Sequence, residues 1–119
     1  LKITIPISVG ELLDKISILQ IKSQYTDNIY VNTELESLID IAKQFKVFDF
    51  KYFDQLLEVN QKLWKIEDEL RVFERSQNFD DAFVHLARNV YITNDRRASI
   101  KKEINEKYNS SYREVKIYK

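Results

Sequence analysis

The sequence predicts a mainly all-α fold, a four-helix bundle-like domain with a short two-stranded ribbon contributed by the chain termini. Three observations predict it. The 119 residues include one Gly and one Pro; sheets and long loops consume both in turns, so long helices with short connections follow. Four stretches carry apolar residues at helical spacing, each opened by a residue able to cap a helix. Both ends of the chain alternate apolar with polar residues, the period of a strand.

The elements follow in order. Leu1, Ile3, Ile5 and Ile7 alternate with Lys2, Thr4 and Pro6, a short strand that Pro6 confines to an edge. Ser8 and Glu11 form a capping box, with Ile7 and Leu12 as the hydrophobic staple, and open a helix from Val9 to about Thr26. Asp27-Asn28 reads as its stop and Ile29 to Val31 as a connection. Thr33 and Glu36 form a second capping box for a shorter helix to about Phe45. Asp49 caps a third helix, stapled by Phe48 and Phe53, that runs through Trp64 to about Ser76. Asn78 or Asp80 caps the fourth, which continues through Tyr91 and Ile104 to about Tyr108. In the tail, Val115 and Ile117 against Arg113, Lys116 and Lys119 suggest a second short strand. Two such strands are too short to stand alone, so they are expected to pair and bring the chain ends together.

Composition narrows the function. The length fits one domain, 1–119, large enough to bury a core without staples. Lys and Arg equal Asp and Glu at 19 each, without the basic excess of a general nucleic-acid binder. With no Cys, disulfide scaffolds, thiolate zinc sites and Cys nucleophiles drop out together. No apolar run approaches the ~20 residues of a membrane span, and the first residues do not read as a secretion signal. The expectation is a cytoplasmic protein, of a cell or a phage-infected cell, with neither cofactor nor metal.

The informative residues are polar ones on faces that should point inward. On the first helix Leu12, Ile16, Leu19 and Ser23 share a face that Lys15 and Lys22 flank. On the third, Asn60 and Glu67 interrupt the stripe Leu56, Leu63, Leu70 at one angular position. On the fourth, Asn94, Arg97 and Lys101 share the stripe of Phe83, Ala87, Val90, Ile104 and Tyr108. Unpaired burial of such groups costs several kcal/mol, so each needs a partner. In one reading Lys15 or Lys22 pairs with Glu67 and the amides set helix register. In the other, Lys15, Lys22, Asn60, Asn94, Arg97 and Lys101 line an inter-helix pocket for a small anion, with Glu67 orienting the cations. Cations outnumber anions in that set, so the missing partner is an anion.

Other groups carry less. Arg96 reads as a solvated charge, whereas Asn94, a poor helix former in mid-helix, needs a reason for its place. His85 is the only histidine, and Asp81 four residues before it makes no metal site alone. Glu103 and Glu106 lack the repeated acidic motif of magnesium-dependent helical pyrophosphohydrolases. Trp64, Phe73, Phe79 and Phe83 read most simply as core.

The motifs Ser8-Val9-Gly10-Glu11-Leu12-Leu13-Asp14-Lys15, Ile21-Lys22-Ser23, Asn60-x-x-Leu63-Trp64-x-Ile66-Glu67-Asp68 and Asn94-Asp95-Arg96-Arg97 resemble a family of short bacterial and phage-encoded proteins classed as a domain of unknown function. The resemblance covers nearly the whole chain and implies no activity, substrate or catalytic residue. Leu12-Leu13-Asp14-Lys15-Ile16 is also faintly similar to the first helix of the all-helical chorismate mutases, but their early arginine is missing: no Arg precedes Arg71. The first expectation is therefore non-enzymatic binding of a small anionic molecule, in class a nucleotide or nucleotide-derived signal, sequestered between helices of a homodimer or higher homo-oligomer. The alternatives are a metal-free electrostatic enzyme using Lys15, Arg97 and Glu67, and a dimeric interaction or adaptor module whose polar core is structural.

Overall fold

A computed structural model describes residues 1–118 as four α-helices: α1 (Val9–Ser23), α2 (Ile29–Gln44), α3 (Phe50–Ser76) and α4 (Asp81–Lys107). Each begins at a side-chain cap. Ser8 Oγ accepts the Glu11 N–H, Asn28 Oδ1 that of Tyr30, Asp49 Oδ1 those of Lys51 and Tyr52, and Asp80 Oδ1 that of Phe83. The second helix starts a turn earlier than the Thr33 box implies. Asn28, expected to end the first helix, instead begins the next, because the same amide stops one helix and caps another equally well. The first helix also ends sooner, at Ser23, with Gln24 as its C-cap.

The scarcity of glycine has a structural consequence. Three helices end with a left-handed residue whose flanking N–H groups bond back into the last turn, yet those residues are Lys46, Gln77 and Asn109. The one Gly is spent elsewhere, in the contact between α1 and α4.

Packing is centred on α1, which touches all three other helices, while α3 lies along α4 and α2 packs on α1 alone. The core joins Leu12, Leu13, Ile16 and Leu19 of α1 to Leu35 and Ala42 of α2, Leu56 and Val59 of α3, and Ile100 and Ile104 of α4. At 27 residues each, α3 and α4 are about 40 Å long, whereas the 15 residues of α1 span about 22 Å. The α3–α4 hairpin therefore runs on past the end of α1 as a bare two-helix arm, in which Ile66 alone is buried between residues 65 and 92. The radius of gyration, 16.1 Å, exceeds the roughly 13–14 Å of a compact chain this long.

The expected terminal ribbon is absent. Among the described residues no strand forms; residues 1–7 and 113–118 make no ladder, and Ile3, Ile5, Val115 and Ile117 are exposed. Lys119, expected at the end of the tail strand, lies outside the described residues. The two ends of the helical body nevertheless meet, through side chains: the Val9 N–H donates to Ser110 Oγ, and Lys101 draws Glu114 onto α4. Two isolated short strands lack a packed face to offset their ordering, so alternation alone does not make a sheet. Among the described residues no helix is long and apolar enough to cross a membrane.

Candidate functional site

Two stripes of residues meet where α1 crosses α4. On α1, Gly10, Asp14 and Ser17 follow at helical spacing; on α4, Arg97, Lys101 and Asn105 do the same, running the opposite way. Gly10 allows the close approach. A Cβ there would stand 2.7 Å from the Lys101 carbonyl oxygen, and the Gly10 N–H donates to Asn105 Oδ1 at 2.7 Å.

One turn on, Asp14 is wholly buried. Arg97 holds its carboxylate bidentately, Nε to Oδ1 at 2.9 Å and Nη2 to Oδ2, and Asn60 Nδ2 from α3 donates to Oδ1 at 2.9 Å and to Ser17 Oγ at 2.8 Å. The hydrogen bond from Arg97 to Asp14 holds the guanidinium pKa above its usual value, against the opposing effect of burial. Beside it Lys101 bridges Glu11 Oε2 at 2.7 Å and Glu114 Oε2 at 2.9 Å. Burial pushes the Lys101 pKa down, and the two carboxylates more than reverse that. Glu114 is held below the carboxylate range chiefly by the Lys101 hydrogen bond.

Of the residues singled out in the sequence, Asn60, Arg97 and Lys101 come together here, around Asp14, Glu11 and Glu114. The rest do not join them. Lys15 is exposed and faces Glu34 of α2 at 3.9 Å, so the pairing of Lys15 or Lys22 with Glu67 does not occur. Lys22 is exposed in the last turn of α1, Glu67 is exposed on the arm, and the partly exposed Asn94 makes no side-chain hydrogen bond within the described chain. The charge balance also reverses: the groups actually assembled are three carboxylates and two cations. Gly10, Asp14, Ser17 and Asn105 were the residues to find, and the signal was a small or polar stripe at four- and three-residue spacing through an otherwise apolar helix.

A second polar cluster ties the start of α3 to the end of α4. Asp49, already the cap of α3, accepts from Lys107 Nζ at 2.6 Å and Tyr108 Oη at 2.7 Å. Burial raises its pKa, but these two donors and the Tyr52 N–H bring it down to about 2. Among the described residues no group of three or more His, Asp or Glu side chains is placed to hold a metal ion.

The arm carries a different kind of feature. A groove of about 450 Å³ is lined by Glu67, Leu70, Arg71 and Glu74 of α3 and by Phe83, Ala87 and Val90 of α4. Glu67 and Glu74 stand two and four turns beyond Asn60 on the same face of α3; Val90 and Phe83 stand two and four turns before Arg97 on the same face of α4. Asn60 and Arg97 are the residues that hold α1. The groove is thus the continuation of the trough in which α1 lies, open from the level where Tyr25 stacks on Trp64, ring centroids 5.1 Å apart.

Residues 2–119 match the model of a family described as "Family of unknown function (DUF6165)". The chain belongs to this family. The DUF6165 match takes in both the polar cluster and the arm, and its description assigns neither a role. Searches of curated proteins and of solved structures return no significant match.

Proposed function

We propose that this DUF6165 chain is a non-enzymatic interaction module: a locked base, made of α1, α2 and the lower half of the α3–α4 hairpin, carrying the arm as its binding element. The observation behind this reading is the open groove, a helix-accepting trough whose other half is filled by a helix of the chain itself. Leu70, Phe83, Ala87 and Val90 stay only half-buried there, and a two-helix hairpin has no third element on which to close them. A ligand helix with apolar residues at i, i+3 or i+4, and i+7 matches such a trough. The paired polar groups around Asp14 support the same reading, because they meet one another's needs and hold the base rigid. The test is a photo-crosslinking amino acid placed at Val84 or Tyr91 on the arm, and at Lys43 on α2 as control, in cells making the protein. Defined adducts from the arm positions are expected; their absence would sink the proposal.

One observation favours a second reading, a small anion at the outer edge of Arg97. Its side chain keeps 26% of its surface exposed, and among the described residues Nη1 has no hydrogen-bond partner while Nε and Nη2 hold Asp14. A nucleotide or nucleotide-derived phosphate meeting that edge beside Lys101 would restore the anion-binding role expected from the sequence. Calorimetric titration with nucleotides and inorganic phosphate tests it. Binding lost in Arg97→Lys, which keeps the charge but not the fork, would support it, and a flat titration of the unaltered protein would remove it.

A further inference from the structure

We propose that the occupant of the arm groove is the arm of a second copy of this chain, laid antiparallel across a twofold axis so that α3 faces α3. This rests on the reading of the arm as the interaction element and names its partner.

The rim of the groove is self-complementary. Along α3 it reads Glu67, Arg71, Glu74, carboxylates one turn to either side of a guanidinium, and among the described residues none of the three has an ion-pair partner. An antiparallel copy of that rim, with the twofold axis midway between Arg71 and a flanking Glu, sets each Arg71 against a carboxylate of the other chain, twice over by symmetry. The floor, Leu70 with Phe83, Ala87 and Val90, is apolar and would meet its own copy, completing a four-helix arrangement from two hairpins. The end of α1 sets the limit of the overlap. Tyr25 and Trp64 stand where the trough becomes filled, so each arm would run up to the other chain's α1 and stop, which makes the contact closed and excludes a growing fibre. The bare arm from Lys65 to Ser76 is about 18 Å long and two helices, about 20 Å, wide. The resulting footprint, on the order of 350 Å² per copy, is well below the ~800 Å² per partner of a standard interface, so the association should be reversible and weak.

Sedimentation velocity and native mass spectrometry of the full chain across a micromolar concentration series test this. A reversible monomer–dimer equilibrium is expected. Arg71→Glu, a change at an exposed helix position whose fold is checked by circular dichroism, should weaken the dimer by about tenfold or more. Adding Glu67→Arg and Glu74→Arg to it should restore the affinity by inverting every pair. A monomer at all concentrations, or a dimer indifferent to Arg71→Glu, overturns the proposal. Arm crosslinks to a different protein from a chain that stays monomeric would overturn the second copy as occupant while leaving the arm as binding element; no arm crosslinks of any kind would remove both.

Discussion

Arg97 holds Asp14 through two nitrogens of its guanidinium, and Asp14 exposes no surface to solvent. The two residues are 83 positions apart in sequence, and their pairing fixes how α1 sits against α4. With Asn60 donating to the same carboxylate, three helices are tied to one buried charge.

Removing either partner leaves the other without its counter-charge. Arg97→Met should cost about 3 kcal/mol, the low end for a buried pair because the outer edge of Arg97 is wet. Asp14→Leu combined with Arg97→Met should recover much of that loss, since apolar replacement of both ends removes the desolvation cost together with the attraction. Urea unfolding of the two single variants and the double variant measures the coupling; additive losses would mean that the pair does not act as a unit.

Gly10→Ala tests the helix crossing. The added methyl would stand 2.7 Å from the Lys101 carbonyl oxygen, a backbone atom that cannot swing aside. Helix α1 has to lift from α4, straining the Gly10–Asn105 bond, and a loss of about 1–3 kcal/mol is expected by denaturant titration. Ala is the better helix former, so propensity alone predicts a gain. The sign of the result separates the two effects.

Acid should weaken the Asp49 cluster in a defined window. The Asp49 pKa is lowered from 3.8 to about 2, so its contribution is complete above the unfolded value and fades as pH falls from about 4 towards 2. Asp49→Asn should therefore be less stable than the unaltered protein at neutral pH, with the difference narrowing across that acid range. Thermal melts at a series of pH values check it, and a gap that stays constant below pH 4 would contradict the assignment.

Thr93 is 3% exposed, and its Oγ1 has no hydrogen-bond partner among the described residues. A buried hydroxyl without a partner costs about 1–3 kcal/mol. Thr93→Val keeps the shape and removes the oxygen, so the melting temperature should rise by a few degrees. A fall would mean that a water satisfies the hydroxyl.

The helices were legible for local reasons. Ser8, Asp49 and Asp80 cap where their spacing to the following residues says they should, because a cap needs nothing beyond one turn of chain. Asn28 was misread because an Asn between two helices satisfies either end. In the site, Arg97, Lys101 and Asn60 were found because a polar group on an apolar stripe is visible in one helix by itself. Their partners were not, because successive residues of a helix point about 100° apart. Taking Lys15, on the flank of the inward face, into the site and passing over the buried Asp14 beside it is an error of a single position, and it exchanges a cation for an anion at the centre of the site. That exchange turned an expected anion pocket into a cluster of internally paired groups.

The sequence by itself determined the four helices, the starts of α1, α3 and α4, and the presence of polar residues that needed partners, since capping, periodicity and charge are properties of short stretches of chain. Only the tertiary structure decided which groups meet, that the terminal segments stay unpaired, and that α1 fills one half of the α3–α4 trough. Each of these depends on rotations and lengths of helices relative to one another. A 15-residue helix against a pair of 27-residue helices leaves the far half of the trough open, and the arm exists because of that difference in length.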